Sequence, residues 1–313
     1  MRSWTKNLSA FLVPILLAWL LVLLFKAVPQ APVSMVEPPL ELRSVDVRSA
    51  DELEGVFAEL NYHWPVTPEQ AVPALAVVQI PKDLAELRDV KRKKSLFFRA
   101  LLPLVIAENQ GVLEARQHLL NIVAKAPETW TGGEREWLTS IAQFYQVSGN
   151  TADAKVQRKL LRRIDIIPPA LALAQAANES AWGTSRFAQL ANNLFGQWTY
   201  KESEGLVPLE RPEGAKYAVR KFDTIDESVR AYLQNLNTHA AYLELRLKRE
   251  QMRQAGGLLD ASEMASGLHR YSARGEHYIE EIRAMIRVNN LKPYLQTLPL
   301  RSAKPQSGVE GGG

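Results

Sequence analysis

Pro168-Pro169-Ala170-Leu171-Ala172-Leu173-Ala174-Gln175-Ala176-Ala177-Asn178-Glu179-Ser180-Ala181-Trp182-Gly183 is the stretch on which the reading of this chain turns. The proline pair suits a first helical turn and Gly183 suits a helix end, so the spacing predicts a helix over 166–183. Ala170, Leu171, Ala174, Ala177 and Ala181 give it a slim apolar face that can pack close to a neighbour. Glu179 falls near the C-terminal end of that helix, among alanines and Trp182. The negative end of the helix dipole and the apolar surroundings both disfavour its charge, which raises a carboxyl's pKa and suits it to protonate a glycosidic oxygen. A single helix-end glutamate is more often a solvated one, so the neighbours have to decide.

Downstream the period changes. Residues 198–222 lose helical spacing, carry Gly205, Pro208, Pro212 and Gly214, and alternate partially at Tyr217, Val219 and Phe222, which predicts a lobe of two or three short strands. Helices resume at Thr224-Ile225-Asp226-Glu227, a capping-box pattern, and run through Val229, Leu233, Leu236 and Tyr242; 260–268 and 276–290 complete the set. Upstream, 83–165 places Leu84, Leu87, Leu96, Phe97, Leu101, Leu104, Val105, Leu160 and Ile164 at three- and four-residue steps, a helical layer. The run Lys91-Arg92-Lys93-Lys94 inside it reads as a solvated face.

The N-terminal segment reads as an export signal that leaves the N-terminus in the cytoplasm and carries the chain after Lys26 outside. Residues 7–25 hold no charge and are rich in leucine, long enough to span a bilayer core, with Arg2 and Lys6 on the side expected to stay inside. The predicted element is an uncleaved membrane anchor over 1–28; a cleaved signal peptide is the alternative, and both export the rest. Pro29, Pro32, Pro38 and Pro39 make an extended spacer, and Pro65, Pro68, Pro73 and Pro81 punctuate the chain beyond it, so 29–82 reads as linker and weakly structured chain. The last segment, 296–313, ends in three glycines and reads as a disordered tail.

The motif Ala176-Ala177-Asn178-Glu179-Ser180-Ala181-Trp182-Gly183-Thr184-Ser185, followed by Asn192-Asn193-Leu194-Phe195-Gly196, resembles the Bax-type glucosaminidases of glycoside hydrolase family 73, bacterial enzymes similar in fold to lysozymes. The resemblance covers about 90–291. It implies a mainly α, lysozyme-like α+β catalytic domain over 166–295, with a small β lobe and a helical extension over 83–165. It also implies hydrolysis of the β-1,4 bond after N-acetylglucosamine in peptidoglycan strands, with Glu179 as general acid; the N-terminal run places that activity in the periplasm at the inner membrane. Tyr271-Ser272 to Tyr278 is similar to the family's tyrosine-containing segment, but has Arg274-Gly275 where many members have Thr-Asp-Pro and one extra residue between the tyrosines. Trp182, Asn193, Phe195, Trp198, Tyr271 and Tyr278 are the substrate-binding residues the match suggests; Tyr200 is a further aromatic able to stack on a sugar.

Glycosidases of this kind use a second carboxylate, or a substrate acetamido group in its place. Members of the family carry that glutamate on a strand before a turn, which favours Glu210; Glu213 is the runner-up. Two readings from other classes stay open: a wall-binding or scaffold protein that keeps the fold without turnover, and a lytic transglycosylase, which needs one acid. The composition removes other chemistries. There is no cysteine, so no thiol nucleophile or disulfide framework. His63, His118, His239, His269 and His277 lack metal-ligand spacing, no metal or other cofactor is implied, and the net charge of +4 is too mild and dispersed for a nucleic-acid footprint.

Overall fold

The computed structural model describes residues 41–209, 211 and 214–304. The apolar run 7–25, the proline spacer, Glu210, Glu213 and the tail from 305 lie outside the described residues. The described chain is mainly helical. In order it runs β1 (Arg43–Val45), α1 (Ala50–Glu59), β2 (Val72–Pro73), β3 (Leu75–Val77), α2 (Val90–Val123), α3 (Gly132–Phe144), α4 (Ala154–Arg163), α5 (Pro169–Glu179) and α6 (Arg186–Ala191). Then come β4 (Trp198–Thr199), β5 (Gly205–Leu206), β6 (Ala218–Arg220), α7 (Ile225–Thr238), α8 (Leu243–Ala255), α9 (Ala261–Ala265), α10 (Glu276–Val288) and β7 (Leu300–Arg301).

α5 is the central element. Its residues 169–177 are all buried, and it packs against α2, α9 and α10. The alanine-rich sequence permits this, because small side chains let neighbouring backbones approach on every side. The 34-residue α2, opened by Asp89 accepting from the backbone N–H groups of Lys91 and Arg92, serves two cores. Leu96 to Ile106 lie in the main core with α5, α7 and α10, whereas Leu119 and Ile122 join a second cluster with Trp137, Leu138 and Ile141 of α3 and Leu160 of α4.

The main core also takes residues that the sequence alone does not single out. Segment 41–82, expected to be linker and weakly structured chain, instead folds over the core and contributes Val47, Leu53, Phe57, Leu60, Tyr62, Val72, Leu75 and Val77. Its strands pair over long distances in sequence: β1 runs parallel to β3, and β2 parallel to β7 with Val72 opposite Leu300. The tail is therefore ordered through its described part, with Leu298 and Ala303 buried. Strands of two or three residues carry little periodicity, and their partners are remote, so neither end of the domain announces itself locally. The basic run 91–94 is also more engaged than a solvated face. Arg92 pairs with Asp51 and Glu54 of α1, and the Lys94 ammonium lies 4.6 Å over the Trp182 ring and donates to Asn289 Oδ1 at 2.9 Å.

A buried charge cluster fixes the start of α5. Asp165 accepts from Arg253 at 2.8 and 3.1 Å, while Arg249, 1% exposed, donates to the carbonyls of Arg162, Asp165 and Ile166 and to Asn237 Oδ1. Burial alone would raise the Asp165 carboxyl, but Arg249, Arg253 and Arg116 outweigh it and hold it below the ordinary value. Such a cluster is tolerable because its one carboxylate is paired and the Arg249 guanidinium is spent on carbonyls. It ties the α4–α5 link to α7 and α8.

The link 266–275 is anchored differently, by close approach. A β-carbon at Gly267 would stand 2.4 Å from the backbone nitrogen and Cα of Leu245 in α8. Gly267→Ala must therefore push this link away from α8, an overpacking that costs roughly 1–3 kcal/mol. The chemical-denaturation midpoint should fall with an unchanged slope; an unchanged midpoint would mean that α8 moves aside freely.

Candidate active site

Glu179 is the last residue of α5. The helix stops here, short of the expected Gly183, because Ser180 rewinds the chain: its hydroxyl donates to the Ala176 carbonyl at 2.6 Å and accepts from the Gly183 N–H at 2.7 Å. Ala181 and Trp182 then take left-handed φ values of 49° and 62°, a conformation that costs non-glycine residues of order 1 kcal/mol each. The turn leaves the Glu179 carboxyl at the edge of the core. Facing it is Gly196, φ 67°, where a β-carbon would stand 3.8 Å from Glu179 Oε2.

The other walls are tyrosines. A relay of hydrogen bonds runs from the Tyr232 hydroxyl to Gln175 Oε1 (2.6 Å), from Gln175 Nε2 to the Tyr278 oxygen (2.7 Å), and from the Tyr278 hydroxyl to Glu179. Tyr271 stacks on Tyr278 with ring centroids 5.4 Å apart and donates to the Phe195 carbonyl at 3.0 Å, Phe195 stacks on Tyr232 at 3.9 Å, and Tyr242 lies 5.8 Å from Tyr271. Burial, with the Glu179 charge adding to it, raises the hydroxyls of Tyr232, Tyr271 and Tyr278 well above their usual range, so they stay protonated donors. Desolvation likewise raises the Glu179 carboxyl; hydrogen bonds from Tyr278 and Asn178 and the Arg274 charge pull against it, and Glu281 adds to it. Burial wins, and the site holds a carboxyl inclined to keep its proton among neutral donors.

Beside it stands a three-stranded antiparallel lobe, order β4-β6-β5, with Trp198 opposite Val219. The lobe is joined to the helical body through Asn193, whose Nδ2 donates to the carbonyls of Gln197 and Arg220 at 2.8 Å and whose Oδ1 accepts from the Gln197 N–H at 2.9 Å. Trp198 is 38% exposed, edge-on to Tyr217, and Tyr200 is also open to solvent. Among the described residues, no three His, Asp or Glu side chains gather as a metal site.

A family model described as mannosyl-glycoprotein endo-beta-N-acetylglucosaminidase matches residues 154–291. Protein bax of Escherichia coli (strain K12) is 35% identical over 209 residues, 66% of this chain and 73% of the relative. The chain belongs to the Bax-type glucosaminidase family. No solved structure gives a significant match.

The glucosaminidase match spans α4 through α10 and so contains Glu179, the tyrosines and the lobe. Of the residues singled out in the sequence, Glu179, Phe195, Tyr271 and Tyr278 meet in one place. Asn193 and Phe195 are each 2% exposed, and their polar atoms and ring are used inside the fold, so neither presents a surface to a ligand. Trp182 turns toward α2, with its ring 5.9 and 5.2 Å from those of Phe97 and Phe98. Gln175, Tyr232 and Tyr242 were not anticipated. One signal pointed to Gln175: it stands four residues before Glu179, hence on the same helical face, and is a polar residue in an otherwise apolar run.

A raised carboxyl pKa has a consequence for stability. The folded chain binds a proton that the unfolded chain has released, so stability falls as pH rises between the unfolded and folded pKa values and stays reduced above them. Glu179→Gln removes the titrating group. Thermal melts of variant and wild type should coincide below the ordinary glutamate range and separate in the variant's favour toward neutral pH; a variant that melts lower at neutral pH would show that the site stabilises the carboxylate instead.

Proposed function

We propose that this chain is a peptidoglycan hydrolase that cleaves the β-1,4 bond after N-acetylglucosamine, with Glu179 as general acid, in a lysozyme-like cleft between the helical body and the β lobe. The observation that carries the reading is a desolvated glutamate with a raised pKa, hydrogen-bonded by a buried tyrosine, in a domain of the glucosaminidase family. Glu179 would give its proton to the leaving glycosidic oxygen, and Tyr278 would hold the carboxyl in place and stabilise the carboxylate left behind. Trp198, Tyr200 and the part-buried Tyr271 are the aromatic surfaces available to sugar rings, whereas Trp182 serves the reading as the anchor of the Glu179 turn on α2.

The second group in this reading is Glu210, in the sequence between β5 and β6, with Glu213 or the substrate acetamido group as alternatives. In peptidoglycan assays Glu179→Gln should lower turnover by roughly 10²–10⁴-fold while the protein stays folded. Wild-type turnover in the folded variant would remove Glu179 from the mechanism. In the same assay Glu210→Gln should slow release more than Glu213→Gln; equal, near-wild-type rates would shift the weight to the acetamido group. Mass spectrometry of the fragments separates hydrolysis, which leaves a reducing N-acetylglucosamine end, from a lytic transglycosylase, which leaves an anhydro end. The latter reading needs only one acid, Glu179.

The site would work on the periplasmic side of the inner membrane, tethered by residues 7–25. Among the described residues one helix, α2, is long and apolar enough to cross a membrane, but two thirds of its apolar stretch is buried in the protein, so the argument for tethering rests on the N-terminal run. The intact chain should sediment with inner membrane and be cut by protease from the periplasmic side. A soluble periplasmic form beginning near Ala31 would favour the signal peptide.

A further inference from the structure

Gln197 is the residue immediately after Gly196, the glycine that faces Glu179. Its backbone is pinned: the N–H donates to Asn193 Oδ1, and the carbonyl accepts from Asn193 Nδ2 and from the Arg220 N–H at 2.9 Å. Its side chain is 5% exposed, yet neither Nε2 nor Oε1 has a hydrogen-bond partner within the protein. Other buried side chains leave single atoms unpaired, such as Gln189 Oε1 or Arg246 Nε, while another atom of the same group is bonded. Among the described residues, a side-chain donor and acceptor are stranded together only at Gln197 and at the Tyr62 hydroxyl, and of the two only Gln197 adjoins the glycine that faces Glu179.

Gln175 shows that the fold can satisfy a buried amide nearby, since both ends of that one are met by tyrosines within 2.7 Å. A buried amide left without partners is unfavourable, and a methionine or leucine of similar size would avoid the cost. Such a group is accounted for when its partner arrives from outside. In sequence Gln197 lies between the glycine beside the carboxyl and Trp198, which is open to solvent.

We propose that Gln197 is a ligand-binding residue of the cleft, and that its side chain takes the 2-acetamido group of a sugar seated next to Glu179. This rests on the site being a glycan cleft. A primary amide and a secondary amide are complementary: Nε2–H can donate to the acetamido carbonyl while Oε1 accepts the acetamido N–H. Gln197 would thus make the site select N-acetylated strands, because a sugar bearing a free amine offers no carbonyl to Nε2 and leaves that donor stranded.

The test is a binding cycle on the full-length chain in detergent, in a Glu179→Gln background that prevents turnover, using a hexamer of N-acetylglucosamine and its fully de-N-acetylated counterpart. The background protein should favour the acetylated hexamer. Adding Gln197→Met should weaken that hexamer by about 10- to 100-fold, the range of one or two lost buried hydrogen bonds, and leave the other nearly unchanged, so that the preference collapses. Melting temperature should hold or rise, since two stranded polar atoms are gone, and Gln197→Leu should behave alike. Equal loss on both hexamers, no loss on either, or a lower melting temperature in both variants would overturn the proposal while the cleft stands. Binding of neither hexamer by the background protein would overturn the glycan cleft, and Gln197's role with it.

Discussion

Keeping one carboxyl partly out of water without leaving it unpartnered is the constraint that organises this site. Glu179 ends a helix whose own residues are buried to Ala177, so its carboxyl starts from a desolvated position. A bare buried carboxylate is untenable, and the protein answers with groups that stay neutral: Tyr278 reaches it directly, and Gln175 and Tyr232 orient Tyr278 from behind. Because these donors are themselves buried, they do not ionise and cannot turn into repelling charges as pH rises. The carboxyl's preference for its proton is a property of the whole shell.

That shell is assembled from four separate regions of the chain, and its precision depends on how firmly they are joined. Ser180 fixes the exit of α5 by bonding both backward and forward, Asn193 staples the lobe to the helical body, and Gly267 lets the segment before Tyr271 lie flush against α8. At the other end of α5, Asp165 and its arginines lock the helix start to α7 and α8. Each joint uses a polar group whose partners are complete or a glycine whose missing side chain is needed, and such joints hold a single geometry. The two left-handed residues after Ser180 are tolerable only in such a frame, with the Trp182 ring held between α2 aromatics and Lys94.

Much of this was legible in the sequence where the signal was local. The proline start of α5, the position of Glu179 near its end and the loss of helical period before Thr224 all show in the spacing of residues, because helix caps and hydrophobic periods are properties of neighbours a few positions apart. Thr224 does cap α7, although Glu227 returns to the Asp223 N–H where a full capping box would use that of Thr224. Reading failed where the meaning of a residue depends on a distant one. Asn193 and Phe195 sit in the most recognisable motif, yet their side chains are consumed by Gln197, Arg220 and Tyr232. Residues 41–82 looked like punctuated linker because their strands find partners up to 228 positions away, as Val72 does in Leu300.

By itself, then, the sequence determined that helices dominate, that one carboxyl sits at a helix end in apolar company, and that a small irregular lobe comes after it, since each of these is set by composition and spacing within a turn or two. The tertiary structure alone decided which groups surround that carboxyl. Four tyrosines and a glutamine from α5, α7, the turn before α8 and the segments around α9 and α10 converge only when α5 is enclosed, and burial, which is a property of the folded whole, is what shifts the proton affinities of the tyrosines and of Glu179.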